Sequence, residues 1–177
     1  MSIFDKRKPP VKKGSFEDER DGQKYETVKM PDGKIWMAQN LNYKVENSWL
    51  YADDKDYEVY GRLYTWDAAK EACPPGWHVP SREEWESLVE AVGGSSVAGK
   101  KLRYDGDDDY GFSAQFGGVR QPDGKFDYED LGGCWWTATV SSENFAYNRN
   151  MRYNSKEAGE EKVEVEFGMS VRCVKDE

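Results

Sequence analysis

Gly76-Trp77-His78-Val79-Pro80-Ser81-Arg82-Glu83-Glu84-Trp85-Glu86-Ser87-Leu88-Val89 is the stretch from which the architecture can be read. Ser81 is a helix N-cap: its hydroxyl can accept the amide hydrogen of Glu84, whose carboxylate reaches back to the Ser81 amide and completes a capping box. Trp85, Leu88, Val89 and Val92 then recur at i, i+3, i+4 and i+7, the stripe of a helix buried on one side. Gly93-Gly94 supplies the stop. Just upstream, Trp66, Ala69 and Cys73 share one face of a helix over roughly Tyr64 to Ala72, which Pro74-Pro75 terminates. After Gly94 no further helix is expected.

On both sides of the helices the texture is that of strands and turns. Tyr25 to Met30 and Lys34 to Leu41 flank Pro31-Asp32-Gly33, where proline presets φ and glycine tolerates positive φ. Pro122-Asp123-Gly124 repeats the signal between Phe116–Arg120 and Phe126–Tyr128. Later strands are predicted over Cys134 to Thr139, Phe145 to Tyr153, Lys162 to Phe167 and Ser170 to Val174. Strands, two helices, then strands with long loops make an α+β layout.

The 177 residues suffice for one domain. Seven tryptophans provide core volume although only 37% of residues are hydrophobic. A net charge of −9 gives no electrostatic reason to bind nucleic acid. No apolar run is long enough to span a bilayer, and no signal-peptide core follows Met1. Residues 1–15, with Lys6-Arg7-Lys8-Pro9-Pro10, read as a flexible basic linker, and residues 16–177 as the domain. The reading leaves room for a removed signal peptide or a lipid anchor upstream.

Taken together, Trp66-Asp67-Ala68-Ala69-Lys70-Glu71-Ala72-Cys73, Gly76-Trp77-His78-Val79-Pro80-Ser81 and the closing Ser170-Val171-Arg172-Cys173-Val174 resemble C-type-lectin-like domains. More specifically, the chain from Asp18 to Asp176 resembles the Fibrobacter succinogenes major paralogous domain family. The motifs are Arg20-Asp21-Gly22-Gln23-Lys24-Tyr25, Trp36-Met37-Ala38-Gln39-Asn40-Leu41-Asn42-Tyr43, Tyr60-Gly61-Arg62-Leu63-Tyr64-Thr65-Trp66, Tyr110-Gly111-Phe112-Ser113-Ala114 and Trp135-Trp136-Thr137. The resemblance implies two helices packed on short, twisted antiparallel sheets, a secreted or cell-surface location, and C-terminal loops that present a ligand surface. It also implies a disulfide between Cys73 and Cys173, worth about 4–5 kcal/mol on the chain-entropy model. Cys134 is left over and reads as a buried small apolar residue, with an intermolecular bridge or a reactive thiol as the alternative.

Nothing assembles into catalytic machinery, and the expectation is that the protein is not an enzyme. His78, the only histidine, has no identifiable partner in sequence. The fold of that family resembles that of the formylglycine-generating enzymes, which carry reactive cysteines before the last strands, whereas Phe145 to Asn154 has none. Zinc lacks a ligand set, and the glycine pairs lack the lysine and hydroxyl of a phosphate loop. No cofactor is expected. Asp105, Asp107 and Asp109 are the weak candidates for calcium, in a loop that reads first as solvated acid. Gln121-Pro122-Asp123 spells a lectin sugar motif, but the hairpin turn accounts for it.

Glu143 to Asn154 resembles an antibody contact loop in its mix of asparagine, tyrosine and arginine. It also reads as a strand with Phe145, Tyr147, Met151 and Tyr153 inward and Asn144, Asn148, Asn150, Arg152 and Asn154 outward. These five polar residues are the expected contacts, with Trp135 and Trp136 as scaffold or platform. The expected function is a non-catalytic, extracytoplasmic binding module for carbohydrate or protein. A variable protein diversified by a retroelement and a structural adhesion or assembly module are the alternatives.

Overall fold

The computed structural model describes residues 10–177. Its strands are β1 (Lys12–Asp18), β2 (Gln23–Lys29), β3 (Ile35–Met37), β4 (Ser48–Trp49), β5 (Leu63–Tyr64), β6 (Trp77–His78), β7 (Val119–Arg120), β8 (Phe126–Asp127), β9 (Gly132–Ser142), β10 (Phe145–Arg152), β11 (Ala158–Glu164) and β12 (Val174–Lys175). Helices α1 (Trp66–Ala72), α2 (Arg82–Ala91) and α3 (Ser95–Leu102) lie between β5 and β7. One sheet has the order β1-β2-β3-β12-β6 and a second β11-β10-β9, with β4-β5 and β7-β8 as two-stranded ribbons. The result is a mixed α and β fold of small antiparallel sheets and few helices.

The turn chemistry read in the sequence is present. At the β2–β3 turn Gly33 takes φ +87°. Asp32 accepts the Lys34 amide at 2.9 Å and the Trp36 indole at 3.0 Å. The α2 capping box forms as expected, and Thr65 caps α1.

Four expectations need correction. Lys12 to Ser15, expected in the linker, pair with Lys29 to Glu26 as the start of β1. Lysines suit an exposed edge strand, so a basic composition did not distinguish strand from tether. The rest of the expected linker, residues 1–9, lies outside the described residues.

The chain also has a third α-helix where none was expected. Gly94 stands at the α3 N-cap with no side-chain cap, and Gly99 lies so close to the Glu157 backbone that a Cβ would collide with it. Helix α3 therefore looks poor locally. It is held by burying Ala98 and Leu102 in the cluster around Trp85. Third, the expected strand Lys162 to Phe167 is shifted: β11 runs from Ala158 to Glu164.

Fourth, Ser170 to Cys173 do not form one ladder. Ser170 donates to the Cys134 carbonyl and accepts from the Trp136 amide. Val171 and Cys173 accept from the Leu41 and Met37 amides. The closing segment thus stitches β9 to the end of β3 and the residues after it. Cys173 is disulfide-bonded to Cys73 at the end of α1, with Cα atoms 6.0 Å apart.

Two apolar clusters result. Trp36 and Trp85 meet at 4.9 Å between ring centroids in one. The other joins Trp136, Tyr64, Leu41 and Val171 to the buried face of α1. Arg172 is fully buried. Its guanidinium donates to Asn40 Oδ1 at 2.8 Å and to the carbonyls of Met37, Phe112 and Ser113 at 3.1, 2.5 and 2.7 Å. Burial pulls its pKa down, but the donor fork is matched by four acceptors and the Phe112 ring at 4.7 Å.

Candidate functional site

β10 is the middle strand of its sheet and has two covered faces. Its register sets Arg149 opposite Trp135 and Glu160, and Asn148 opposite Trp136 and Glu161. On the helix side, Arg149 pairs with Glu86 of α2 and, at 3.4 Å, with Glu160. Arg82 grips Glu160 at 2.7 to 3.0 Å. That hydrogen bonding holds the Glu160 carboxyl below its usual pKa.

The inward–outward alternation expected for Phe145 to Asn154 does not hold. Phe145 and Tyr153 are 39% and 51% exposed, whereas Asn148 is completely buried. Both faces of β10 are covered at this level, so Ala146 and Asn148 on one face and Arg149 and Met151 on the other are all buried, while the extra residues of the two β9–β10 irregularities lie in β9. Trp135 and Trp136 are fully buried. Their indoles donate to Asn40 Oδ1 at 2.9 Å and the Tyr64 carbonyl at 2.7 Å. They are scaffold, and the platform role expected of them is withdrawn.

Beyond Asn148 the same face opens into a cleft of about 370 Å³. Val119, Cys134, Met151, Val163, Phe167 and Met169 line it, with Tyr128, Leu131 and Tyr153 at its edge. Those three edge residues are each about half exposed. Asn150, Arg152, Asn154 and Glu161 form a polar ridge shared with a second depression that continues to Glu157, Gly159 and Glu160. The Asn150 side chain lies across Gly159, where an added Cβ would stand 2.7 Å from its Oδ1.

The edge loop is fixed from several directions. Tyr128 and Asp130 take left-handed φ of +63° and +54°, a conformation unusual for such residues. Leu131 donates to the Tyr128 carbonyl at 3.1 Å, and its own carbonyl accepts from Tyr153 at 3.1 Å. The Tyr60 hydroxyl donates to Asp130 at 2.8 Å, which pushes the Tyr60 pKa up to about 12. Arg103 donates to the carbonyls of Arg152 and Tyr153.

The Fibrobacter succinogenes major domain model matches residues 21–175, nearly all of the described chain. The chain belongs to that family. No curated protein and no solved structure matches it significantly. In this Fibrobacter-type domain the matched span holds the cleft, the disulfide and Arg172, whereas β1 precedes it.

Of the expected contacts, the domain brings Asn150, Arg152 and Asn154 together at the cleft. Asn144 lies at the other end of β10, in a depression beside Phe145 and Glu164. Asn148 is inside; its Oδ1 accepts weakly from Asn150 at 3.4 Å and its Nδ2 has no partner. Tyr128, Leu131, Glu157 and Glu161 were missed. They come from a hairpin end and a strand edge with no pattern of their own.

The remaining candidates are engaged elsewhere. Burial pushes the Cys134 thiol up to about 12, so it stays protonated at neutral pH. His78, expected to lack a partner, has two: Nδ1 lies 2.5 Å from Asp176 and Nε2 2.9 Å from Glu84. Asp105 pairs with Arg103, Asp107 with Lys100, and Asp108 accepts from the amide and hydroxyl of Ser113. Among the described residues no group of three or more His, Cys, Asp or Glu is arranged to hold a metal ion. Gln121 to Lys125 is the expected turn, closed by the Gln121 amide on the Lys125 carbonyl at 2.7 Å.

Proposed function

We propose that this Fibrobacter-type domain is a non-catalytic, extracytoplasmic binding module on a C-type-lectin-like scaffold, with carbohydrate or protein as ligand in the cleft at the end of β10. The observation behind it is the cleft itself. Its lining is apolar, its edge residues are half exposed, and it gathers Asn150, Arg152 and Asn154 with Glu161. Ligand sites combine apolar concavity with a few placed polar groups in this way. The protonated thiol of Cys134 and the double carboxylate contact of His78 favour binding over chemistry.

The disulfide favours an oxidising compartment. No helix among the described residues is long and apolar enough to cross a membrane, so attachment, where present, would come through a lipid anchor or another part of the protein. The adhesion or assembly alternative draws support from Tyr128, Leu131 and Tyr153. A retroelement-diversified surface would be confined to Asn144, Asn150, Arg152 and Asn154, because changes at buried Asn148 and Arg149 would enter the core.

The test is a glycan and peptide array probed with the oxidised domain and its Asn150→Ala and Tyr153→Ser variants, with calcium and with chelator. Specific binding lost in both variants is expected. Specific binding untouched by either places the ligand elsewhere and sinks the cleft as the site.

A further inference from the structure

Resting on the cleft as ligand site, we infer that it takes an extended peptide segment of a partner protein. One large apolar side chain sits between Val163 and Phe167 of the lining and the Tyr128–Tyr153 edge, and a cationic side chain lies beside Glu157 and Glu161. The apolar lining decides against a sugar ring. Val163 and Phe167, half-buried in that lining, offer no side-chain hydrogen-bond partner to a hydroxyl pressed against them. The polar groups stand on one ridge only, which suits a ligand with one apolar projection and a polar backbone.

The edge points the same way. Three of the eight exposed large hydrophobic residues among those described, Tyr128, Leu131 and Tyr153, border this one cleft. Such clustering marks a contact surface, where scattered exposure does not. Asn150 donates to Asn148 over only 3.4 Å, a weak bond that a ligand carbonyl would readily replace.

Charge sets the neighbour. In the adjoining depression Glu160 is neutralised by Arg82 and Arg149. Glu157 and Glu161 form no ion pair among the described residues, and Arg152 is the only cation in the lining. One negative charge is left over, complementary to a single lysine or arginine of the partner.

The experiment is an array of short peptides in which each apolar residue is flanked by Lys, Ser or Glu. Hits are then titrated by fluorescence anisotropy, with cello- and xylo-oligosaccharides titrated by calorimetry. Replacing the apolar residue of a hit by Ala is expected to weaken binding about tenfold or more. Replacing its Lys by Glu is expected to cost about fivefold at low salt, shrinking at about 0.5 M salt. The surface double variant Glu157→Lys with Glu161→Lys should invert the preference from Lys to Glu.

Oligosaccharide binding lost in Asn150→Ala, with no peptide bound, overturns the peptide and leaves the cleft as the site. Peptide binding indifferent to Tyr153→Ser and to the charge reversal overturns both. A folded domain that binds no peptide also overturns the inference.

Discussion

Arg172 lies in a segment reached by β3, β9 and the loop at Phe112, whereas Arg152 stands at the end of β10 where the sheet gives way to the cleft. The first guanidinium is fully buried with four acceptors around it. The second is exposed and forms no ion pair among the described residues. Both segments are short, carry an arginine among apolar residues, and read as strand. The difference is what surrounds them: the closing segment has partners on both sides, while β10 runs past its cover at Asn148. In this domain a polar residue of a strand stays at the surface only where the covering elements end.

The largest effect that would test this contrast is at the disulfide anchoring the closing segment. Replacing Cys73 and Cys173 by Ser should lower stability to urea by about 4–5 kcal/mol for a loop of this length. A loss under about 1 kcal/mol would show that the closing segment is not the constrained region. Arg172→Met should cost about 3–4 kcal/mol, because it strands the Phe112 and Ser113 carbonyls in the core. Arg152→Met should stay within about 0.5 kcal/mol of the parent, and equal losses at the two arginines would erase the comparison.

Gly159→Ala is a finer probe. The new methyl should push the Asn150 side chain off its seat, reducing binding of any cleft ligand about threefold while changing stability by under about 1 kcal/mol. Unchanged affinity would remove Asn150 from the contact set.

The smallest effect is at His78. Burial opposes its charge, but hydrogen bonds with Asp176 and Glu84 outweigh that and leave the pKa above the ordinary 6.5. A raised folded-state pKa stabilises fully below pH 6.5 and loses that contribution as pH rises through the raised value. The imidazole is 41% exposed, so solvent screening should keep the contribution below about 0.5 kcal/mol. His78→Gln should flatten this slope in urea melts taken across that range, and an unchanged slope would remove His78 as its source.

Much of the fold was legible because its signals are local. The α2 capping box, the α1 stop at Pro74-Pro75 and the two Pro-Asp-Gly turns depend on residues within a few positions of one another, and all formed. Helix α3 and strand β1 were not legible. Gly94 and Gly99 weaken the helix signal, and Lys12 to Ser15 have the composition of a tether; both elements are stabilised by distant partners. The site was legible by half. Asn150, Arg152 and Asn154 were named, but Tyr128 and Leu131 reach the cleft only through the β7–β8 ribbon and the backbone of Tyr153.

By itself, the sequence determined the family motifs, the first two helices, the main hairpins and, through the resemblance, the Cys73–Cys173 pairing, since each rests on residue type and short-range spacing. Tertiary structure alone decided which asparagines line the cleft and that Trp135 and Trp136 are core. It also decided that Arg149 is tied to α2 while Arg152 is not. Burial is a property of what packs on a strand from elsewhere, and Asn148 is inside because both faces of β10 are covered there, although its alternation assigned it outward.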